Sequence, residues 1–403
     1  MRCNLNSLTA AILTSTTTWT AATAGDGDWP RWRGADGTNI SAETGWSVEG
    51  RSEPLWSREV GLGYASFVIK GDSLITTGYS ESKGQDTIYC LDARTGAERW
   101  TYSFPAQKWD KFHGGGTQST PVIEGDRVYT LNREGKLHCL NLVDGSVVWK
   151  KDLMSEYELE IPTWAFAASP LVLPDKVIVN VGRVLALNKD NGAPIWSTRD
   201  TGHAYSTPIV ATLAGLERLV IFNGDGVVLF DPSNGREQAE YTWTTQYDVN
   251  AATPIAIGDR LFISSGYNHG CSMLQVTDQG LRPLWENKEM RNQMSGCVYY
   301  EGHLYGFDDK TLKCIDTEGN ERWAQRGLGQ GALMIADGKI IALSSKGELI
   351  IADASPGGYA ELSRRKILDG GVYWSSPVLS NGLIFCRNSE GEIVCRDHRD
   401  AGD

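Results

Sequence analysis

The chain has 403 residues, 41% hydrophobic and 22% charged, with 45 glycines and 14 tryptophans. Its 38 basic and 50 acidic residues leave a net charge of −12 without a basic run, which excludes a nucleic-acid surface. No stretch approaches the ~18–20 consecutive apolar residues of a membrane-spanning helix, which excludes that class too.

Met1–Ala24 carries one charge, Arg2, a short apolar core at Leu8–Leu13 and an Ala22-Thr23-Ala24 step. That order predicts an export signal over residues 1–24 and a periplasmic or secreted protein. Cys3 precedes the apolar core rather than ending it, so it does not read as a lipid-attachment site. Residues 25–53 follow as an arm, DWPRWRGADGTNISAETGW at its centre, with no period of two or 3.6. The arm cannot make a sheet of its own. Trp29, Trp32 and Trp46 each carry ~150–250 Å² of surface, so the arm is expected to pack on the remaining fold, as a brace or as a lid.

From residue 54 onward the chain repeats. LDARTGAERW (91–100), LNLVDGSVVW (140–149) and LNKDNGAPIW (187–196) share one frame, with weaker copies at 229–243 and 314–323. Trp56, Trp100, Trp149, Trp196, Trp243, Trp285 and Trp323 recur every 38 to 49 residues. Between the tryptophans, short apolar and β-branched runs are cut by Gly and Asp, the pattern of strand, turn and strand. Four strands per unit make one antiparallel sheet, which needs neighbouring copies to bury both faces. Seven units follow: Phe67–Trp100, Pro121–Trp149, Pro170–Trp196, Pro208–Trp243, Pro254–Trp285, Val298–Trp323 and Met334–Leu362. Pro54–Ser57 is a fourth strand without its first three. Pro377–Leu379, Leu383–Arg387 and Glu392–Arg396 are three strands without a fourth. Joined, they make an eighth blade and close a ring with no open edge. The predicted fold is all-β: an eight-bladed propeller over residues 54–397, with a tail at 398–403.

Eight cysteines in an exported chain suggest disulfides, but the repeat argues against most of them. Cys90, Cys139, Cys314 and Cys395 occupy one equivalent position, where another unit carries Ala186, and equivalent positions in different blades are too far apart to bridge. They read as small buried residues. The remaining candidate is Cys386–Cys395, on the assumption that a tight Glu390-Gly391 turn sets the two opposite each other.

The unit [Leu/Ile]-[Asp/Asn]-x-x-[Thr/Asp/Asn]-Gly-x-x-x-Trp resembles the pyrroloquinoline-quinone-like (PQQ-like) propeller repeat. That family includes quinoprotein alcohol dehydrogenases and the propeller lipoprotein of the outer-membrane barrel-assembly machine. WPRWRG (29–34) and GHAYSTP (202–208) are similar to exported single-domain members of planctomycete-like bacteria. The resemblance implies that the Trp ladder is structural, each indole docking one blade on the next. A WD40 propeller is the rival, but no ladder Trp is followed by Asp.

Inner strands converge on a propeller axis, and small residues precede them. One step further out the chain places Tyr64, Gln118, Tyr205, Asn250 and Trp374, and the neighbouring loops add His113, Trp164 and His203. Together these eight are the candidate binding residues of a funnel mouth. Rings, amides and imidazoles suit a protein partner or a small planar or sugar-like ligand better than a phosphate. Gly114–Gly116 lacks the helix and Lys of a phosphate loop, and the six His show no metal spacing.

The resemblance offers a second reading, a quinone-dependent alcohol or sugar dehydrogenase. Such enzymes stack PQQ between a Trp and a disulfide of adjacent cysteines and hold Ca²⁺ with carboxylate and amide oxygens. This chain has no adjacent Cys pair. The expectation is therefore a monomeric, non-catalytic binding or assembly scaffold with neither cofactor nor metal. PQQ with Ca²⁺ belongs only to the dehydrogenase alternative, and polysaccharide or cell-surface binding is a third possibility.

Overall fold

The structure is a computed structural model that describes residues 27–111 and 113–400. The expected export signal, Cys3 and the last three residues lie outside the described residues. Among the described residues the strands form eight sheets, seven of four strands and one of five. Seven blades run consecutively along the chain, at residues 68–105, 122–152, 171–200, 209–242, 255–287, 298–325 and 332–366. The eighth takes three strands from the C-terminal end and its outermost strand, Trp56–Glu59, from the other end of the propeller. Trp56 pairs with Cys395 and Glu59 with Glu392, so the ring closes as the strand count at the two ends requires.

Burial follows position in the blade. Middle strands are covered on both faces by neighbouring blades and read as continuous runs: Lys176–Val181 is buried throughout. Outer strands face solvent on one side and mix buried with exposed residues, as in Val147–Asp152.

The tryptophans show why the repeat has its frame. Trp100 lies opposite Cys90, Trp149 opposite Cys139, Trp196 opposite Ala186, Trp285 opposite Met273, Trp323 opposite Cys314 and Trp56 opposite Cys395. A small or flexible partner leaves room for each indole to lean onto the next blade. There the ring covers that blade's turn glycine: Trp56 on Gly96, Trp100 on Gly145, Trp149 on Gly192, Trp196 on Gly235 and Trp285 on Gly319.

Two expectations about this frame are corrected. Trp243 is not a ladder residue. The position opposite Leu229 belongs to Ala239, and Trp243 follows the end of that strand, buried with Nε1 donating to Ser265 Oγ at 3.0 Å. The Gly-to-Trp spacing of four gives Ala239 after Gly235, and the more distant Trp had obscured it. Cys386 and Cys395 are not opposite each other either. Cys386 pairs with Val394 and Cys395 with Phe385, one residue away from the assumed register, which puts the two thiols on opposite faces. The turn is wider than Glu390-Gly391, closing between Asn388 and Glu392. All seven described cysteines are free and buried.

The arm packs on the propeller. It threads the face of the ring away from the expected mouth. Trp29 exchanges two backbone hydrogen bonds with Ile69 in blade one, and Pro30 O accepts from Ile123 N in blade two. The chain then crosses the axis. The Arg33 guanidinium donates to Thr253 O, Cys297 O and Thr38 O at 3.0–3.4 Å, tying blades five and six. Ile40–Ser41 adds a fifth, parallel strand to blade seven, and the Glu43 carboxylate accepts from Asn381 N and Gly382 N in blade eight. A segment with no strand period thus borrows the inner edges of sheets already formed.

Candidate ligand-binding pocket

The pocket is built from the steps that lead into the inner strands. At three successive steps a hydroxyl reaches back to the preceding blade and accepts a backbone N–H. Ser66 N donates to Thr120 Oγ1 at 3.0 Å, Thr120 N to Ser169 Oγ at 3.1 Å, and Ser169 N to Thr207 Oγ1 at 3.0 Å. Small hydroxyl residues are needed because the inner strands crowd at the axis, and a bare alanine would leave those buried N–H groups unpaired. Trp32 of the arm closes the ring from below, its Nε1 donating to Thr253 Oγ1 at 3.1 Å.

Above this floor stand two banks of rings. On one side Tyr64 and Trp374 stack at 4.8 Å with 23° between planes, and His113 meets Tyr64 edge-on at 5.5 Å. On the other, Trp164 meets Tyr205 at 6.0 Å and Tyr247 at 6.4 Å, and Tyr247 meets Tyr267 at 5.1 Å. Three bonds fix the banks. Gln118 Nε2 donates to Trp164 O at 2.9 Å, Trp164 N to Tyr205 Oη at 3.4 Å, and Ser375 Oγ to Tyr64 O at 2.6 Å. The cavity between them has a volume of about 140 Å³, close to the ~150 Å³ that holds one benzene ring.

Of the eight expected residues, Tyr64, His113, Gln118, Trp164, Tyr205 and Trp374 line this cavity. Asn250 does not. It is fully buried in the wall, its amide donating to Asn223 O and Trp243 O and accepting from Ser265 Oγ. His203 stands beside Tyr205, ring centroids 6.2 Å apart, outside the lining set. Trp32, Tyr267 and Val249 line the pocket without having been expected. Tyr267 follows a second strand rather than preceding a first, so the entry-step rule passes over it. Trp32 arrives from the arm.

The electrostatics are those of a neutral site. No Lys, Arg, Asp or Glu is among the described residues lining the cavity. Burial pushes the Tyr205 hydroxyl up to about 12 and raises that of Tyr64, and it lowers His113 below the ordinary imidazole range. All three therefore stay uncharged near neutrality. A second cavity, about 280 Å³, lies on the far side of Trp32 between the arm and the inner strands of blades three to five, with Arg31 and Arg33 at its edge.

A quinone with Ca²⁺ does not fit this donor set. The ion needs carboxylate oxygens, and the lining offers none. No group of three His, Cys, Asp or Glu able to hold a metal occurs among the described residues, and the seven described thiols are unpaired.

The comparisons with known proteins agree with this architecture. A family model described as outer membrane protein assembly factor BamB matches residues 84–325, more than half the chain. The outer membrane protein assembly factor BamB of Yersinia pestis is 24% identical over 325 residues, 72% of this chain and 77% of that protein. The Escherichia coli protein of the same name is 25% identical over 343 residues, with the same coverage. Among solved structures, BamB from Moraxella catarrhalis superposes with a TM-score of 0.62 at 16% identity, covering 87% of this chain and 99% of that one. Quinohemoprotein alcohol dehydrogenase from Comamonas testosteroni gives 0.70 at 12% identity, covering 92% and 80%. The dehydrogenase likeness is one of fold, and the family match adds what fold alone lacks: this chain belongs to the PQQ-like repeat propeller family described as outer membrane protein assembly factor BamB.

Proposed function

We propose that the protein is a non-catalytic, exported scaffold that recognises a protein segment at the mouth of its axial pocket. One observation carries the reading. Two banks of aromatic rings from different blades face each other over an uncharged cavity, a surface suited to holding a ligand and poor in the acids, bases and metal donors of catalysis. Binding residues on loops of a rigid ring are held in place without further cost. The name shared by the similar proteins, outer membrane protein assembly factor, supports a partner among outer-membrane proteins or their assembly apparatus. It also supports residence in the periplasm, in line with the signal-like Met1–Ala24.

The test is site-specific photo-crosslinking in the periplasm of the host. A photoreactive phenylalanine replaces Trp374 at the mouth or, as a control, Val143, which is 81% exposed on an outer turn. Adducts with one defined protein from position 374 and none from 143 support the reading. Equal labelling from both positions, or labelling from 143 alone, rejects it.

A further inference from the structure

The floor of the pocket has a polarity of its own. Thr120, Ser169, Thr207 and Thr253 each accept one N–H, from a neighbouring backbone or from Trp32. A hydroxyl that accepts still has a proton to give. Among the described residues none of these four hydroxyls donates to a protein acceptor, and all four residues line the cavity. The pocket thus presents four hydroxyl donors, from four successive blades, beneath walls of aromatic carbon.

A matching ligand has four properties. It is uncharged, because no lining side chain carries an opposing charge and a lone buried ion is expensive. It is about one ring in size. Its sides are apolar, to lie between the Tyr64–Trp374 and Trp164–Tyr205 banks. Its deep end brings hydrogen-bond acceptors without donors. Among amino-acid residues proline meets all four, since its ring is apolar, its carbonyl accepts and it has no N–H. Proline-rich segments are also pre-extended and dock in aromatic-lined grooves at small entropic cost. Tyr247 and Tyr267, 46% and 38% exposed at the rim, extend the aromatic surface to where flanking residues would lie.

We propose that the pocket takes a prolyl residue of an extended peptide, ring between the two aromatic banks and carbonyl on the floor hydroxyls. This rests on the reading of the mouth as a recognition surface.

The experiment titrates the full chain with acetylated, amidated hexaproline and follows tryptophan fluorescence, to which Trp32, Trp164 and Trp374 contribute from the pocket. Hexa-alanine of the same form and maltohexaose are titrated in parallel. A saturable change with hexaproline, absent with the other two, is expected. Thr207→Val should weaken it roughly three- to tenfold by removing one donor, and Thr207→Ser should not. Because the Thr207 hydroxyl also holds Ser169 N, a ligand-side version leaves the protein intact: thioamides, poorer acceptors, replace the hexaproline carbonyls and should weaken binding similarly. No saturable response to hexaproline, equal binding of hexa-alanine, preference for maltohexaose, or indifference to thioamide overturns the proposal. Crosslinking from position 374 that survives such a result would leave the recognition surface standing and reject only its preference for proline.

Discussion

The indole of Trp100 lies on Gly145 of the next blade: a Cβ there would sit 2.4 Å from the ring, and Trp100 Nε1 donates to Leu142 O at 2.8 Å. Gly145 also has φ +70°, a conformation costly to side chains. Gly145→Ala should therefore destabilise the protein by roughly 2–4 kcal/mol, the sum of left-handed strain and overpacking. Urea unfolding checks it, and a loss below half a unit would show that the indole simply moves aside.

Trp149 and Trp196 occupy the same ladder position with different polar ends. Trp149 Nε1 donates to Lys189 O at 2.9 Å, whereas Trp196 Nε1 is buried without a partner. Trp149→Ala should cost ~3–5 kcal/mol. Trp149→Phe should cost about 1 kcal/mol more than Trp196→Phe, because only the first loses a hydrogen bond. Paired melting curves of the two Phe variants decide.

His138 is 4% exposed, its ring 4.3 Å from that of Phe104, with Nδ1 unpartnered. Burial first, then Lys150 and Lys136, push its pKa down to about 4 from 6.5. The unfolded chain binds this proton more readily. Stability from the neutral ring is therefore present above pH 6.5 and lost as pH falls through 4, by about 3 kcal/mol in total. His138→Leu should flatten the stability profile between pH 6.5 and 4 relative to the parent. Parallel profiles for the two proteins would refute the assignment.

The described cysteines are buried, and burial raises the thiols of Cys90, Cys139, Cys271, Cys297, Cys314, Cys386 and Cys395 above their ordinary value. All seven should resist a thiol reagent in the native state and react in denaturant without prior reduction. A missing pair in denaturant would mean a disulfide between cysteines that are free in this structure.

The fold was legible because its markers are local and repeated. A turn glycine, a Trp four residues later and a small residue opposite are set by contact between adjacent blades, so each copy restates the rule. Errors arose where a copy departs from it. Blade four puts Ala239 in the ladder position, and a nearby Trp243 invites misassignment. The register at Cys386 depended on a turn whose width the sequence does not state. The pocket was legible where residues sit one step ahead of an inner strand, as Tyr64, Gln118, Tyr205 and Trp374 do. Asn250 shares that step but turns into the wall, because Asn223 O, Trp243 O and Ser265 are within reach there. Trp32 was illegible in kind: a long-range contact to Thr253 leaves no periodic trace.

The path of the arm has a consequence for when the molecule becomes competent. Trp32 is made long before Thr253, the hydroxyl that seats it, and Trp56 long before its partner Cys395. During synthesis the earliest segment waits for the latest. A chain cut short before blade five has no seat for the pocket's base, and one cut short before the last strand has an open circle. The closed ring and the base of the pocket thus exist only in finished molecules, and the recognition proposed for the mouth requires both.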